Sequence, residues 1–332
     1  MTEYKLGDGY FHRDGSSCKI DILDDKIDNA NLMLVGPAGS GKTVNLMEKL
    51  MDYEEKHDAK IVIFDCCGAY NNLHLLLESY EKKSEFYEFD EGFVKSMLKD
   101  SAYNYDDEGC AFLKDMNCLP DILSINFKPF LKMGEEHAMS KVLLALLEHI
   151  SHIVSSDNGG RDTIIVMDEV HNYLRAIGLS NAMQEFSDRI AHLNTKNTWV
   201  WMATQNVDEI PQESTSLLNK FEYWEILAMH PHEFEGLSRL KNITSKQKSQ
   251  ILSMEKKQHC YVEGILLNRT NTESNQVFRF CASSLALILC ANEAHERRQR
   301  LAVMENNGLS EIEAIKHMER KLHESRWGPL KY

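Results

Sequence analysis

The chain has 332 residues, 43% apolar and 27% charged, an ordinary globular composition with length enough for a large core. Its formal charge of −14 disfavours nonspecific adhesion to nucleic acid and leaves room only for a local basic stripe. Eight scattered cysteines without a CxxC pair argue against a disulfide framework and against a zinc site, and fit a reducing cytoplasm.

Residues 1–30 read as a short β-rich segment of strands and turns, broken by Gly7, Gly9 and Gly15, in which Cys18–Leu23 alternates like a strand. The opening MTEYKLGDGY has no apolar h-region, and no run approaches 18 apolar residues. Neither a signal peptide nor a transmembrane segment is expected, the expected location is cytoplasmic, and any membrane role would come through a partner. Leu32–Val35 is a short apolar run ending at a glycine, as a buried parallel strand would be. From Lys42 to about His57 the spacing turns helical, and Lys60–Asp65 is a second buried strand. Residues 71–120 read as helices with a lid-like insertion. Leu123–Phe127 is a third strand, followed by a helix over 137–154, a loop at Asp157–Gly160 and a fourth strand at Thr163–Met167. A helix over 180–193 and a fifth strand, Trp199–Thr204, follow. The tail reads as two helices, 292–305 and 310–324. The second opens on Ser310 and Glu313, spaced as a capping box.

Length alone would allow two domains. Strands alternating with helices predict instead one large α/β domain with a mainly parallel central sheet flanked by helices, whose ligands bind at the carboxyl ends of the strands. The boundaries expected are a segment over 1–30, a core over 31–282 with an insertion at 71–120, and a C-terminal helical appendage over 283–332.

Gly36-Pro37-Ala38-Gly39-Ser40-Gly41-Lys42-Thr43 matches GxxxxGK[ST]. Glycines let successive backbone amides turn inward around phosphates, and the helix that follows aims its positive end at the same anion. In this pattern Lys42 reaches the β- and γ-phosphates of ATP and the Thr43 hydroxyl ligates Mg²⁺. The spacing follows a buried strand and opens a helix, as the chemistry requires. Ile164–Glu169 supplies the second half: Asp168 leaves a buried strand where it can hold the Mg²⁺ shell, and Glu169 can take a proton from the attacking water. Gln205 ends the next strand, where an amide can sense a γ-phosphate or orient water. Asp65, at another strand end, could orient the metal shell or the attacking water. His171 could touch the γ-phosphate, but a packing or hydrogen-bonding role suits it better. Trp199 and Trp201 read as sheet packing, and Cys66-Cys67 as buried packing. Residues 239–257 hold Arg239, Lys241, Lys246, Lys248, Lys256 and Lys257 against Glu255, either a solvated face or a strip that contacts a polyanion.

These motifs together resemble the HerA/FtsK superfamily of ring-forming motor ATPases, with their RecA-like P-loop NTPase core. Within it the chain is most similar to HerA-like proteins and to the ATPase cores of conjugation and type IV secretion motors. The resemblance spans roughly residues 5–270. Besides the phosphate loop it rests on Asp65-Cys-Cys-Gly-Ala-Tyr70, on Asp168-Glu-Val-His-Asn-Tyr-Leu174 and on Ala203-Thr-Gln205. Ala69 replaces the usual Glu, and Arg189–Lys196 replaces the family's Gly-Arg-Lys run. The cation such rings supply in trans is therefore assigned to Arg189, Lys196 or Arg239, each of which also fits a solvated surface.

The resemblance implies a homohexamer with ATP between subunits and double-stranded DNA in a central pore. It also implies a possible companion nuclease or membrane transfer complex. The N-terminal segment is shorter than the family's barrel, so a motor core with little attached is expected. Two other functions use the same residues: an ATPase energising protein secretion, and a scaffold that ATP binding assembles. Intact Lys42, Asp168 and Glu169 argue against the scaffold.

Overall fold

The structure, a computed structural model, describes residues 9–23, 29–79, 82–99, 113, 118–156, 160–205, 207–257, 260–270 and 275–327. An eleven-stranded sheet runs through it. The strands are β1 (Tyr10–Phe11), β2 (Leu32–Val35), β3 (Lys60–Asp65), β4 (Ser84–Glu88), β5 (Ile122–Asn126) and β6 (Thr163–Met167). They continue with β7 (Thr198–Thr204), β8 (Tyr223–Leu227), β9 (Lys256–Lys257), β10 (Tyr261–Asn268) and β11 (Gln276–Phe280). From β8 through β2, β7, β6, β3 and β5 to β4 every pairing is parallel. An antiparallel flank of β10, β9, β11 and β1 is added at β8.

Continuous apolar runs are what a parallel strand covered on both faces requires. Every residue of β2, β3, β5, β6, β7 and β8 is buried. The apolar stripe of Lys42–His57 puts Leu46, Met47, Leu50 and Tyr53 into the same core. Trp199 and Trp201 are core residues as expected, and the Trp201 indole donates to the Ala30 carbonyl at 3.0 Å. The fold class expected from the sequence, a mainly parallel sheet flanked by helices, is the one observed.

Several local expectations are corrected. Cys18–Leu23 alternates in burial but pairs in no ladder; the Tyr53 hydroxyl serves it instead, accepting from Ile22 N at 2.6 Å and donating to Ile20 O at 3.3 Å. Phe127 leaves its strand to enter an aromatic cluster with Phe64, Phe89, Phe130 and Tyr173. A helix at Val170–Leu179 was not foreseen, and the next one begins at Met183 rather than residue 180. Within 71–120 the described residues include a strand, β4, that lengthens the sheet; the expectations for 80–81, 100–112, 114–117 and 157–159 lie outside the described residues.

The Glu136–Ser156 helix meets the length and hydropathy for crossing a membrane, unlike the expectation that no segment would, but 67% of its apolar window is buried in the protein. The tail helix, Glu311–Trp327, opens as expected: Ser310 N donates to Glu313 Oε2 at 2.8 Å and Glu313 N to Ser310 Oγ at 3.4 Å.

Candidate functional site

Because β2, β3, β6 and β7 are parallel, their last residues share one edge. Gly36, Asp65, Asp168 and Gln205 each stand at such an end. The segment Gly36–Gly41 turns tightly there, with Gly39 at φ 69° and Gly41 at φ 89°, a left-handed region that favours glycine. Gly36 lacks room rather than φ: a Cβ on it would lie 2.7 Å from Ser40 Oγ and 3.0 Å from Leu227 Cβ. Gly36 N donates to Thr204 O at 3.3 Å, tying the loop to β7. The helix Lys42–His57 follows with no acidic residue in its first turn, so its positive end is not neutralised from within.

Lys42 is 5% exposed and its ammonium folds back to donate to the Pro37 carbonyl at 3.1 Å. Burial lowers its pKa, and the facing Glu169 and Asp168 oppose that. Thr43 Oγ1 donates to Asp168 Oδ2 at 3.0 Å, joining residues 125 positions apart in the chain. The Tyr70 hydroxyl donates to the same oxygen at 3.2 Å, and Glu169 N donates to Asp168 Oδ1 at 2.9 Å. Burial raises the Asp168 pKa, and its hydrogen bonds and Lys42 work in the opposite direction.

Glu169 takes a left-handed conformation, φ 52°, which is strained for a residue with a Cβ. That turn separates β6 from Val170–Leu179 and leaves the Glu169 carboxyl at the sheet edge. Burial, then the Asp168 charge, push its pKa up to about 7; Lys42 and the Gln205 backbone amide pull it down. The His171 imidazole stands behind it, with Nδ1 3.1 Å from Thr204 Oγ1 and 3.4 Å from Glu169 Oε2. Burial lowers the His171 pKa.

Asp65 is committed to its own turn. Its Oδ1 accepts from Cys67 N and Gly68 N, both at 2.8 Å, and Oδ2 from Tyr70 N at 3.1 Å. The turn thus delivers the Tyr70 hydroxyl to Asp168. Tyr70 was legible only as the last letter of the Asp65–Tyr70 motif, and nothing in the sequence gave it this role.

The structure therefore brings Lys42, Thr43, Asp168, Glu169 and Gln205 to one place. The three candidate cations lie elsewhere in the chain. Arg189 pairs with Glu148 and, at 2.8 Å, with Glu185. Lys196 is exposed just before β7 and so lies at the opposite edge of the sheet. Arg239 is exposed and pairs with Asp208, in the turn after β7.

The basic stretch 239–257 is not one solvated face. The Lys241 ammonium lies 5.3 Å from the Trp224 ring centroid and that of Lys248 5.1 Å from Phe234, while Lys256 donates to the Gly39 carbonyl of the loop itself.

No family model and no curated protein matches the chain. Among solved structures it is similar to VirB4 of Thermoanaerobacter pseudethanolicus, with a TM-score of 0.56 and 14% identity, over 85% of this chain and 97% of that one. It is also similar to the genome packaging NTPase B204 from Sulfolobus turreted icosahedral virus 2, in complex with ATP-gammaS. There the TM-score is 0.45 and the identity 12%, over 75% of this chain and 96% of that one. The cytoplasmic domain of the Thermomonospora curvata Type VII Secretion ATPase EccC gives 0.40 and 13%, over 83% of this chain and 28% of that one. At these identities the likeness is one of fold. The VirB4 match carries it, and the fold that the sequence resemblance implied is the one found.

Proposed function

We propose that the chain is a HerA/FtsK-type P-loop ATPase that binds Mg²⁺-ATP and works as a ring motor on double-stranded DNA. The observation that carries the ATPase reading is the 3.0 Å contact between Thr43 Oγ1 and Asp168 Oδ2, with Glu169 beside it and Lys42 folded over the loop. A hydroxyl and a carboxylate, both hard oxygen donors, fit Mg²⁺, which needs only one or two protein ligands and keeps several waters. When bound, the ion would neutralise charge on the β- and γ-phosphates.

The residues themselves divide the work. Backbone amides of Gly39–Thr43 receive the phosphates, and Lys42 exchanges the Pro37 carbonyl for a phosphate oxygen. Thr43 and Asp168 would hold the ion. Tyr70, set by the Asp65 turn, fixes the Asp168 carboxylate. Water attacks the γ-phosphorus while the bond to the β,γ-bridging oxygen breaks. Glu169 takes the proton, for which a pKa near neutrality is suited. Gln205, at the next strand end, orients the water or senses the γ-phosphate. A cation from a neighbouring subunit completes the site. Arg239, near the carboxyl edge and largely exposed despite its pairing with Asp208, fits that role better than Lys196 at the opposite edge or the less exposed Arg189, held by both Glu148 and Glu185. The sequence boundaries 1–30, 31–282 and 283–332 stand as the proposed division into segment, core and appendage, in a cytoplasmic homohexamer.

A protein cargo, moved for secretion with a membrane transfer complex, would use every one of these residues. Steady-state ATP hydrolysis with and without double-stranded DNA separates the two cargoes. A DNA-driven rise in rate that weakens steeply between low and moderate salt supports DNA. A rate indifferent to DNA at every salt rejects it and brings protein cargo forward.

A further inference from the structure

Away from the phosphate loop, the helix Lys42–His57 carries a polar face of its own. Glu48, Lys49, Asp52, Tyr53 and Lys56 recur at helical spacing, and with Tyr10 and the segment Ser17–Ile20 they line a cavity of about 260 Å³. The charges around it pair off, with one left over. Lys19 meets Asp21 at 3.1 Å and Lys56 meets Asp52 at 2.8 Å. Lys49 is held by Glu225 at 2.9 Å, by Asn45 Oδ1 at 3.2 Å and by the Tyr10 hydroxyl, which uses all three of its donors. Glu48 has no cation of its own among the described residues. It is 2% exposed; Oε1 accepts from Ser283 N, and Oε2 has no hydrogen-bond partner. Gly9 leaves that oxygen uncovered, since a Cβ there would lie 2.9 Å from it. Burial raises the Glu48 pKa more than Ser283, Lys49 and Arg326 lower it, as expected of a carboxylate short of a partner.

We propose that this cavity binds a small primary alkylammonium ion, whose N–H groups complete Glu48. An unmet acceptor on a carboxylate calls for a charged donor, the strongest pairing open to it in a site shielded from water. The alkyl chain would lie along Ile20 and the rings of Tyr10 and Tyr53. At about 260 Å³ the cavity is smaller than the roughly 300–1,000 Å³ of drug-sized sites, so the guest is a short chain. A second ammonium on it is disfavoured, because Lys19 and Lys56 stand at the exposed side of the cavity. A small turn of the Glu48 carboxylate brings Oε2 to the guest, a side-chain adjustment common on binding. The cavity shares no residue with the Lys42–Thr43–Asp168–Glu169 cluster, and its occupancy does not depend on the nucleotide reading.

The test is a saturation-transfer NMR titration of the full chain with n-butylammonium, beside n-butanol, which keeps the alkyl chain and loses the charge. Two variants accompany wild type. Glu48→Gln removes the charge and keeps the size, and Ser17→Phe fills the cavity from its exposed side. The expected result for wild type is a dissociation constant on the order of 1 mM, within the ceiling for a ligand of about five heavy atoms. Butanol with wild type, and butylammonium with either variant, should each bind about tenfold more weakly or worse. Wild-type binding weaker than about 10 mM, or butanol bound as tightly as butylammonium, would overturn the proposal. So would undiminished binding in either folded variant, which would place the cation on the acidic surface at large. If Glu48→Gln does not fold, Ser17→Phe and the butanol comparison decide by the same criteria.

Discussion

Asp168 and Tyr70 meet through a single hydrogen bond, from the Tyr70 hydroxyl to Asp168 Oδ2 at 3.2 Å, inside the cluster that would hold the metal ion. Lys42, Thr43, Asp168 and Glu169 were readable because their chemistry fixes their spacing: a glycine loop after a buried strand, and an acid pair after another. Tyr70 was not readable, because its role depends on a turn closed by three backbone amides on Asp65. Tyr70→Phe removes one donor from a buried carboxylate while keeping the ring. Turnover should fall several-fold, with a cost of about 1 kcal/mol in Mg²⁺-ATP handling; the check is kcat as a function of Mg²⁺ concentration. Asp65→Ala should lower turnover further than Tyr70→Phe and also lower the melting temperature, since it frees three amides; a variant with wild-type turnover would detach the turn from the site. Lys42→Ala should abolish measurable ATP binding by calorimetry, because among the described residues no other ammonium is folded over the loop from the helix side.

At the scale of elements, two ion networks, one buried and one half-buried, hold the sheet in place. Lys49 reaches Glu225 at 2.9 Å, tying the helix Lys42–His57 to β8, and Asn45 donates to the same carboxylate at 2.9 Å. In the sequence Lys49 reads as one more charge on a polar helix face, because only the tertiary fold brings β8 beside it. Lys49→Met alone would strand Glu225 and should cost about 3–5 kcal/mol in urea unfolding, whereas the double change Lys49→Met, Glu225→Leu should recover much of the loss. The second network clasps the antiparallel flank: Arg13 and Arg279 both hold Glu263, at 2.7 Å and 3.1 Å. Burial raises the Glu263 pKa, but the two guanidiniums outweigh it and the net shift is downward. A depressed carboxylate contributes stability that is present above its unfolded pKa of about 4.3 and is lost as pH falls through the lower folded value. Glu263→Gln should therefore destabilise by about 1–3 kcal/mol at pH 7, with the gap to wild type shrinking below about pH 4. An unchanged gap at acid pH would mean that packing, not charge, is what the variant lost. The missed helix Val170–Leu179 belongs to this scale too. Glu169 in a left-handed conformation starts it abruptly, and no propensity announces such a residue.

For the whole molecule, the alternation of strands and helices was enough to give the parallel sheet and the edge where the candidate site residues gather. The antiparallel flank was not visible as such, since β9 and β11 are short and mixed, and the longer β10 is interrupted by Glu263 and Gly264 and pairs by register with β8 and β11. Subunit assembly leaves a weaker mark on one chain. The proposed ring predicts a homohexamer by light scattering in the presence of Mg²⁺-ATP, and a monomer at all concentrations would remove the need for a trans cation.

The central claim is hydrolysis of ATP by Glu169 beside the Lys42–Thr43–Asp168 cluster. It is tested most directly by steady-state turnover of wild type beside Glu169→Gln, with ATP binding measured on both. Turnover in wild type, a fall of about a hundredfold or more in Glu169→Gln and undiminished ATP binding in that variant are the predicted results. A wild type that binds ATP without turnover, or a Glu169→Gln that hydrolyses it at the wild-type rate, would contradict the account.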